Sequence, residues 1–151
     1  MPQSLASIPI HLVFATKGRR PFLDDAGLRR ELYSYLAVVS DRIGCPLLIV
    51  GGVSDHVHIL GHLGRRIALA DWVKELKRVS SLWIKRRDPA LAAFTWQGGC
   101  GAFAVSPGRI GQIRDYIANQ EHRHRAVPFQ DEYRRLLRAH AVRFDEHHLW
   151  D

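Results

Sequence analysis

The sequence has little that would anchor or staple it. No run of eighteen apolar residues occurs, so no segment reads as a membrane-spanning helix. Cysteine is scarce. Cys45 and Cys100 form neither a metal-type spacing nor a disulfide framework, which points to a reducing cytoplasm. The opening MPQSLASIPIHLVFATKGRR lacks a charged start leading into an apolar stretch and a small-residue cleavage site, so no secretory signal is expected. Repeats, linkers and low-complexity segments are missing as well. What remains is a chain of 151 residues, 46% of them hydrophobic. One domain over 1–151 is expected, with enough apolar material to bury a core without disulfides. Acidic residues are also in short supply, 15 against 22 Lys and Arg, for a net charge of +7. That excess favours a polyanionic partner, with nucleic acid first. A generally basic, soluble protein is the plain alternative.

The hydrophobic pattern divides the chain into alternating elements. IPIHLVFATK predicts a first strand over about 8–16. Asp24 or Asp25 can cap a helix that runs to about Ile43, with Leu28, Leu32, Leu36 and Val39 at helical spacing and Gly44 as its stop. CPLLIVGG and HVHILGHL read as a hairpin turning at Val53–Asp55. A second helix follows over 68–87, with Leu69, Trp72, Val73, Leu76, Val79, Leu82 and Trp83 as its apolar stripe. Its other face carries Lys74, Lys77, Arg78, Lys85 and Arg86. FTWQGGCGAFAV predicts a fourth strand. Ser106 and Pro107 then mark the start of a helix running through EHRHR. VPFQDEYRRLLRAH predicts a last short helix. The order β-α-β-β-α-β is that of a ferredoxin-like, split βαβ fold of the α+β class. It places two helices on one face of an antiparallel sheet and leaves the other face free.

Two His-x-His triplets occur, at 56–58 and 122–124. On a strand, residues i and i+2 share a face. His56 and His58 then stand side by side, with Val57 and Ile59 turned to the opposite, helix-packed face. They read either as a metal-binding pair or as two surface histidines on an open sheet. On a helix, i and i+2 diverge, so His122 and His124 make a poor ligand pair and suit a solvated basic helix end. Two histidines need a third ligand, and Asp55 and His62 are poorly placed to supply it.

The helix after Pro107 offers other groups. Ile110, Ile113 and Ile117 form its apolar stripe, while Arg109, Gln112, Tyr116, Gln120 and Arg123 share a separate face. Such a face can serve a phosphodiester, with Tyr116 as nucleophile, Gln120 as a metal ligand through its carbonyl oxygen and the arginines on phosphate. An ordinary half-buried tyrosine on a solvated basic face fits the same spacing.

Over nearly its whole length the chain resembles the single-tyrosine transposases of the HUH class, the insertion-sequence-200/605 family. The likeness runs through HLVFATKGRRPFL, SDHVHIL, LKRVSSLWIKRR, WQGGCGAF and YIANQEHRHR, and closes on DE followed by LW. The resemblance implies that His56, His58 and Gln120 hold a divalent ion, Mg²⁺ or Mn²⁺, and that Tyr116 is the nucleophile. It implies cleavage and rejoining of single-stranded DNA at hairpin-bearing element ends through a 5′-phosphotyrosine. It also implies a homodimer in which the tyrosine helix of one subunit can complete the site of the other. The fold implied is the same ferredoxin-like one, with an added C-terminal tyrosine helix. A cytoplasmic protein, associated with the nucleoid when bound to DNA, is expected. Backbone contacts are assigned to Arg19, Arg20, Lys74, Lys77, Arg78, Lys85, Arg109 and Arg123. Two rivals remain. One is a domesticated relative acting on chromosomal repeats. The other is a non-catalytic nucleic-acid binder on the same fold, for which the strand HVHILGHL offers no central aromatic for base stacking.

Overall fold

Strand β1, Pro9–Ala15, is buried along its whole length. It is flanked on both sides in a four-stranded sheet of order β2-β3-β1-β4, with β2 at Leu47–Gly52, β3 at His56–His62 and β4 at Gly101–Ala104. Every pairing is antiparallel. This is the ferredoxin-like arrangement expected from the order of elements. The computed structural model describes residues 2–151.

Helix α1, Ala26–Arg42, begins at Asp25, whose carboxylate accepts from the backbone N–H groups of Gly27 and Leu28. Helix α2 spans Leu69–Arg87. Both lie on one face of the sheet, where Leu12, Phe14, Val57 and Ile59 meet Leu28, Leu32, Leu36, Trp72, Leu76 and Ile84. Each of these fully buried aliphatic side chains contributes about 1.5–3 kcal/mol. The indole N–H groups inside this core are paired with serines. The Trp72 indole N–H donates to Ser40 Oγ at 2.9 Å, and that of Trp96 donates to Ser80 Oγ at 2.9 Å. Leu82, placed on the apolar stripe by its spacing, is about half exposed, and Ser80 and Ile84 take the inward positions instead.

The opposite sheet face is not free, contrary to the expectation from the first six elements. Helix α3 (Ile110–Ala118), the single turn α4 (Gln120–Arg123) and helix α5 (Phe129–Ala139) cover it. The helix expected to run unbroken after Pro107 starts as a 3-10 turn without a Ser106 side-chain cap. It breaks again at Asn119, whose φ of −100° and ψ of 18° are not helical. Ile117 packs on Leu60 and Val105. Phe129, Tyr133 and Leu137 of α5 recur every four residues and pack on Val13, Ala15 and Phe103. Gly51 of β2 allows the close approach of α3: a Cβ there would lie 2.5 Å from the Ile117 carbonyl oxygen. Among the described residues, no helix is long and apolar enough to cross a membrane.

Candidate metal and tyrosine site

The pleat of β3 turns His56, His58 and Leu60 away from the α1/α2 core and toward the C-terminal helices. The register with β1 sets Ala15 opposite His56 and Val13 opposite His58, so small and medium side chains flank the two rings. Both histidines are fully buried. The alternative of two surface histidines on an open sheet is therefore excluded by the helices that cover it.

Four groups converge there. The metal-ligating atoms of His56, His58, His124 and Glu132 all lie within 4.8 Å of one another. One carboxylate oxygen, Glu132 Oε1, sits 2.9 Å from His58 Nε2, 3.1 Å from His124 Nε2 and 3.5 Å from His56 Nε2. Gln120 is buried beside them, with its Oε1 3.2 Å from His56 Nε2 and its amide donating to Glu132 Oε2 at 3.2 Å. Tyr116 donates its hydroxyl hydrogen bond to Glu132 Oε2. Its ring lies 5.6 Å from that of His58, and the Arg123 guanidinium stands 4.4 Å from its centre. The structure thus brings His56, His58, Tyr116 and Gln120 into one place within a single chain.

The donor set suits a divalent cation. Buried imidazoles and a carboxylate are the ligand types that transition metals take, and an uncompensated buried carboxylate is otherwise costly. Each imidazole also has an outer partner. His56 Nδ1 lies 2.7 Å from Asp55 Oδ1, and His58 Nδ1 lies 2.8 Å from Nε2 of the buried His11. His124 Nδ1 lies 2.6 Å from the Val127 carbonyl.

The electrostatics follow from these contacts. Burial lowers the pKa of His56, but hydrogen bonds to Asp55 and Glu132 outweigh it and hold the group up at about 9. Burial brings His58 down to about 4 despite Glu132. Burial and the neighbouring His58 bring His11 to about 3. Burial opposes ionisation of Glu132 too, yet hydrogen bonds from His124, His56 and His58 hold it far below the carboxylate range. Tyr116 is pushed up by burial and by the charge and hydrogen bond of Glu132, against the pull of Arg123.

Two contributors escaped the sequence reading. His124 was expected at a solvated helix end. The break at Asn119 and the short turn after it instead swing its ring into the cluster, where it is half-buried or better. Glu132 left a signal: a lone carboxylate three residues after Phe129, on the apolar stripe of α5. A buried charge on such a stripe calls for a partner.

The basic residues divide. Arg109 and Arg123 belong to the tyrosine face, and Arg109 lines a cavity of about 450 Å³ together with His11, Gln112 and Tyr116. Lys74, Lys77, Arg78 and Lys85 line a separate cleft between α2 and residues 94–100, across the sheet from the cluster. Within it, Lys77 donates to the carbonyls of Gln97 and Gly99, and Arg78 pairs with Glu75. Arg19 and Arg20 stack on Trp150 and Phe22, respectively.

The family described as "Transposase IS200 like" matches residues 4–120. A candidate transposase from Deinococcus radiodurans R1 is similar in structure, with a TM-score of 0.64 and 26% identity over 80% of this chain and 95% of that one. A REP-associated tyrosine transposase, solved bound to a REP hairpin, has a TM-score of 0.59 and 14% identity over 84% of this chain and 74% of that one. No curated protein sequence matches the chain.

Proposed function

The chain belongs to the IS200-like transposase family, and from that premise we propose that it cuts and rejoins single-stranded DNA through Tyr116. The observation that carries the reading is the meeting of Tyr116, His56, His58 and Gln120 around one buried cluster that could hold a metal. Tyr116 Oη attacks the scissile phosphorus, the P–O3′ bond breaks, and the strand leaves as a free 3′-hydroxyl. The other strand end stays on the enzyme as a 5′-phosphotyrosine. The phosphodiester energy is kept in that link, so a second 3′-hydroxyl reverses the step without ATP.

A divalent cation, Mg²⁺ or Mn²⁺, held by His56, His58 and Gln120 would supply positive charge at the scissile phosphate and the phenol. The chain's own groups do the positioning. Arg123 over the Tyr116 ring favours the phenolate. Arg109 and Gln112 line the cavity that opens on the tyrosine and suit the phosphate oxygens. The α2 cleft, with Lys74 and Lys85 beside Lys77 and Arg78, is the second basic surface for the DNA backbone. The substrate proposed is a strand bearing a hairpin near its cut site. Two chains acting as a dimer provide two tyrosines for exchanging two ends. Such a substrate places the work in the cytoplasm.

The test is covalent capture. Single-stranded DNA from the flanks of the coding sequence, labelled at its 3′ end, is incubated with the protein and Mn²⁺ or Mg²⁺ and run on a denaturing gel. A labelled protein adduct that needs the metal and vanishes in Tyr116→Phe and His58→Ala is expected. An adduct that persists in Tyr116→Phe refutes the nucleophile. Tight binding of a hairpin strand with no adduct under any metal favours a non-catalytic binder.

A further inference from the structure

With every imidazole neutral, the contacts around Glu132 contain more acceptors than protons. His56 Nδ1 faces the Asp55 carboxylate at 2.7 Å, and His124 Nδ1 faces the Val127 carbonyl at 2.6 Å. Both partners only accept, so each Nδ1 carries the ring proton. A neutral imidazole then presents a bare lone pair at Nε2. Those lone pairs point at oxygens: His124 Nε2 at Glu132 Oε1, and His56 Nε2 at both Glu132 Oε1 and the Gln120 carbonyl. His58 Nε2 reaches the same Glu132 oxygen, 2.9 Å away. Those oxygens need positive charge opposite them, and in the metal-free chain only a second ring proton can supply it. A divalent cation meets that need for all of these atoms together. The outer hydrogen bonds, one on each ring, are those that orient metal-bound histidines and fix their tautomers.

We propose that His124 and Glu132 are ligands of the same metal centre as His56 and His58. The inference rests on the proposed metal site of His56, His58 and Gln120 and extends it to three imidazoles, one amide oxygen and one carboxylate. Two ligands come from β3, one from α4, one from the turn after it and one from α5. A nitrogen-rich set of this kind favours Mn²⁺, Co²⁺ or Zn²⁺ over Mg²⁺, which prefers oxygen ligands and retained water. Glu132 has a second consequence. Its Oε2 receives the Tyr116 hydroxyl and the Gln120 amide, so the carboxylate that binds the ion also positions the nucleophile beside it.

The experiment uses the full-length chain stripped of metal and titrated with Co²⁺, following heat and the visible d–d spectrum. One Co²⁺ per chain is expected, poorly displaced by excess Mg²⁺. His58→Ala should abolish binding. His124→Ala and Glu132→Gln should each weaken it by more than about 100-fold, beyond the roughly 10–100-fold that loss of an outer partner costs, and should alter the spectrum. Should either variant fail to fold, pulsed EPR of the Cu²⁺-loaded wild-type chain counts bound imidazoles directly: three support the assignment and two overturn it. If His58→Ala abolishes binding while His124→Ala and Glu132→Gln leave affinity and spectrum unchanged, the two added ligands are wrong and the histidine-pair site stands. If the wild-type chain binds neither Co²⁺ nor Mn²⁺, both readings fall together.

Discussion

Gly51→Ala tests whether the seat of the tyrosine helix sets the rate. The added Cβ would stand 2.5 Å from the Ile117 carbonyl oxygen and 2.9 Å from Ile117 Cγ2, where ordinary contact begins at 3.4 Å. The first of these atoms is backbone, so no rotamer change relieves it, and α3 must lift by roughly 1 Å. Tyr116 is the neighbouring residue and moves with the helix. Displacing a reacting group by that distance costs on the order of 10²-fold in rate. Overpacking at the same place costs about 1–3 kcal/mol of stability. Adduct formation with 3′-labelled single-stranded DNA is followed well below the melting temperature, and circular dichroism reports the folded fraction. The expectation is a folded protein whose adduct rate falls by about two orders of magnitude. A rate within about threefold of wild type, with the helix in place, would show that Tyr116 tolerates looser seating than the geometry demands.

Two further outcomes follow from buried polar groups. Ser40→Ala leaves the Trp72 indole N–H without its acceptor and the Cys45 carbonyl without its donor. Urea unfolding should show a loss of about 1–3 kcal/mol, and a change below about 0.5 kcal/mol would mean that a water or rearrangement restores the bonds. The metal-free chain should be most stable near pH 6.5. His58 and His11, held down at about 4 and 3, stay neutral when folded, so stability falls as the pH drops below 6.5 and the unfolded histidines take up protons. His56, held up at about 9, works the other way: its contribution is complete below 6.5 and is lost as the pH rises through 9. Thermal melts in chelator across pH 5–9.5 would check this. Asp55→Asn should flatten the alkaline limb, because Asp55 supplies part of what raises His56.

Much of this protein is a local matter. Alternation along IPIHLVFATK and HVHILGHL decides that His56 and His58 share a face, because side chains alternate along a strand whatever surrounds it. An aspartate cap at 24 or 25, and Tyr116 and Gln120 one helical turn apart, are likewise set by spacing, though only the structure chooses Asp25. The basic excess points to a polyanion without reference to shape. What lies on the second sheet face is not local. It depends on α3 and α5 folding back over it, and on a helix break at Asn119 that no proline or glycine announces. That break carries His124 out of the position that an unbroken helix would give it. Glu132 comes from α5, 74 residues after His58, and its side chain is dictated by what it meets there. A carboxylate on an apolar stripe signals in sequence only that a partner is owed. Its identity is decided by the packing that closes α5 over His56 and His58, because the cost of a buried charge is met only by the groups brought against it.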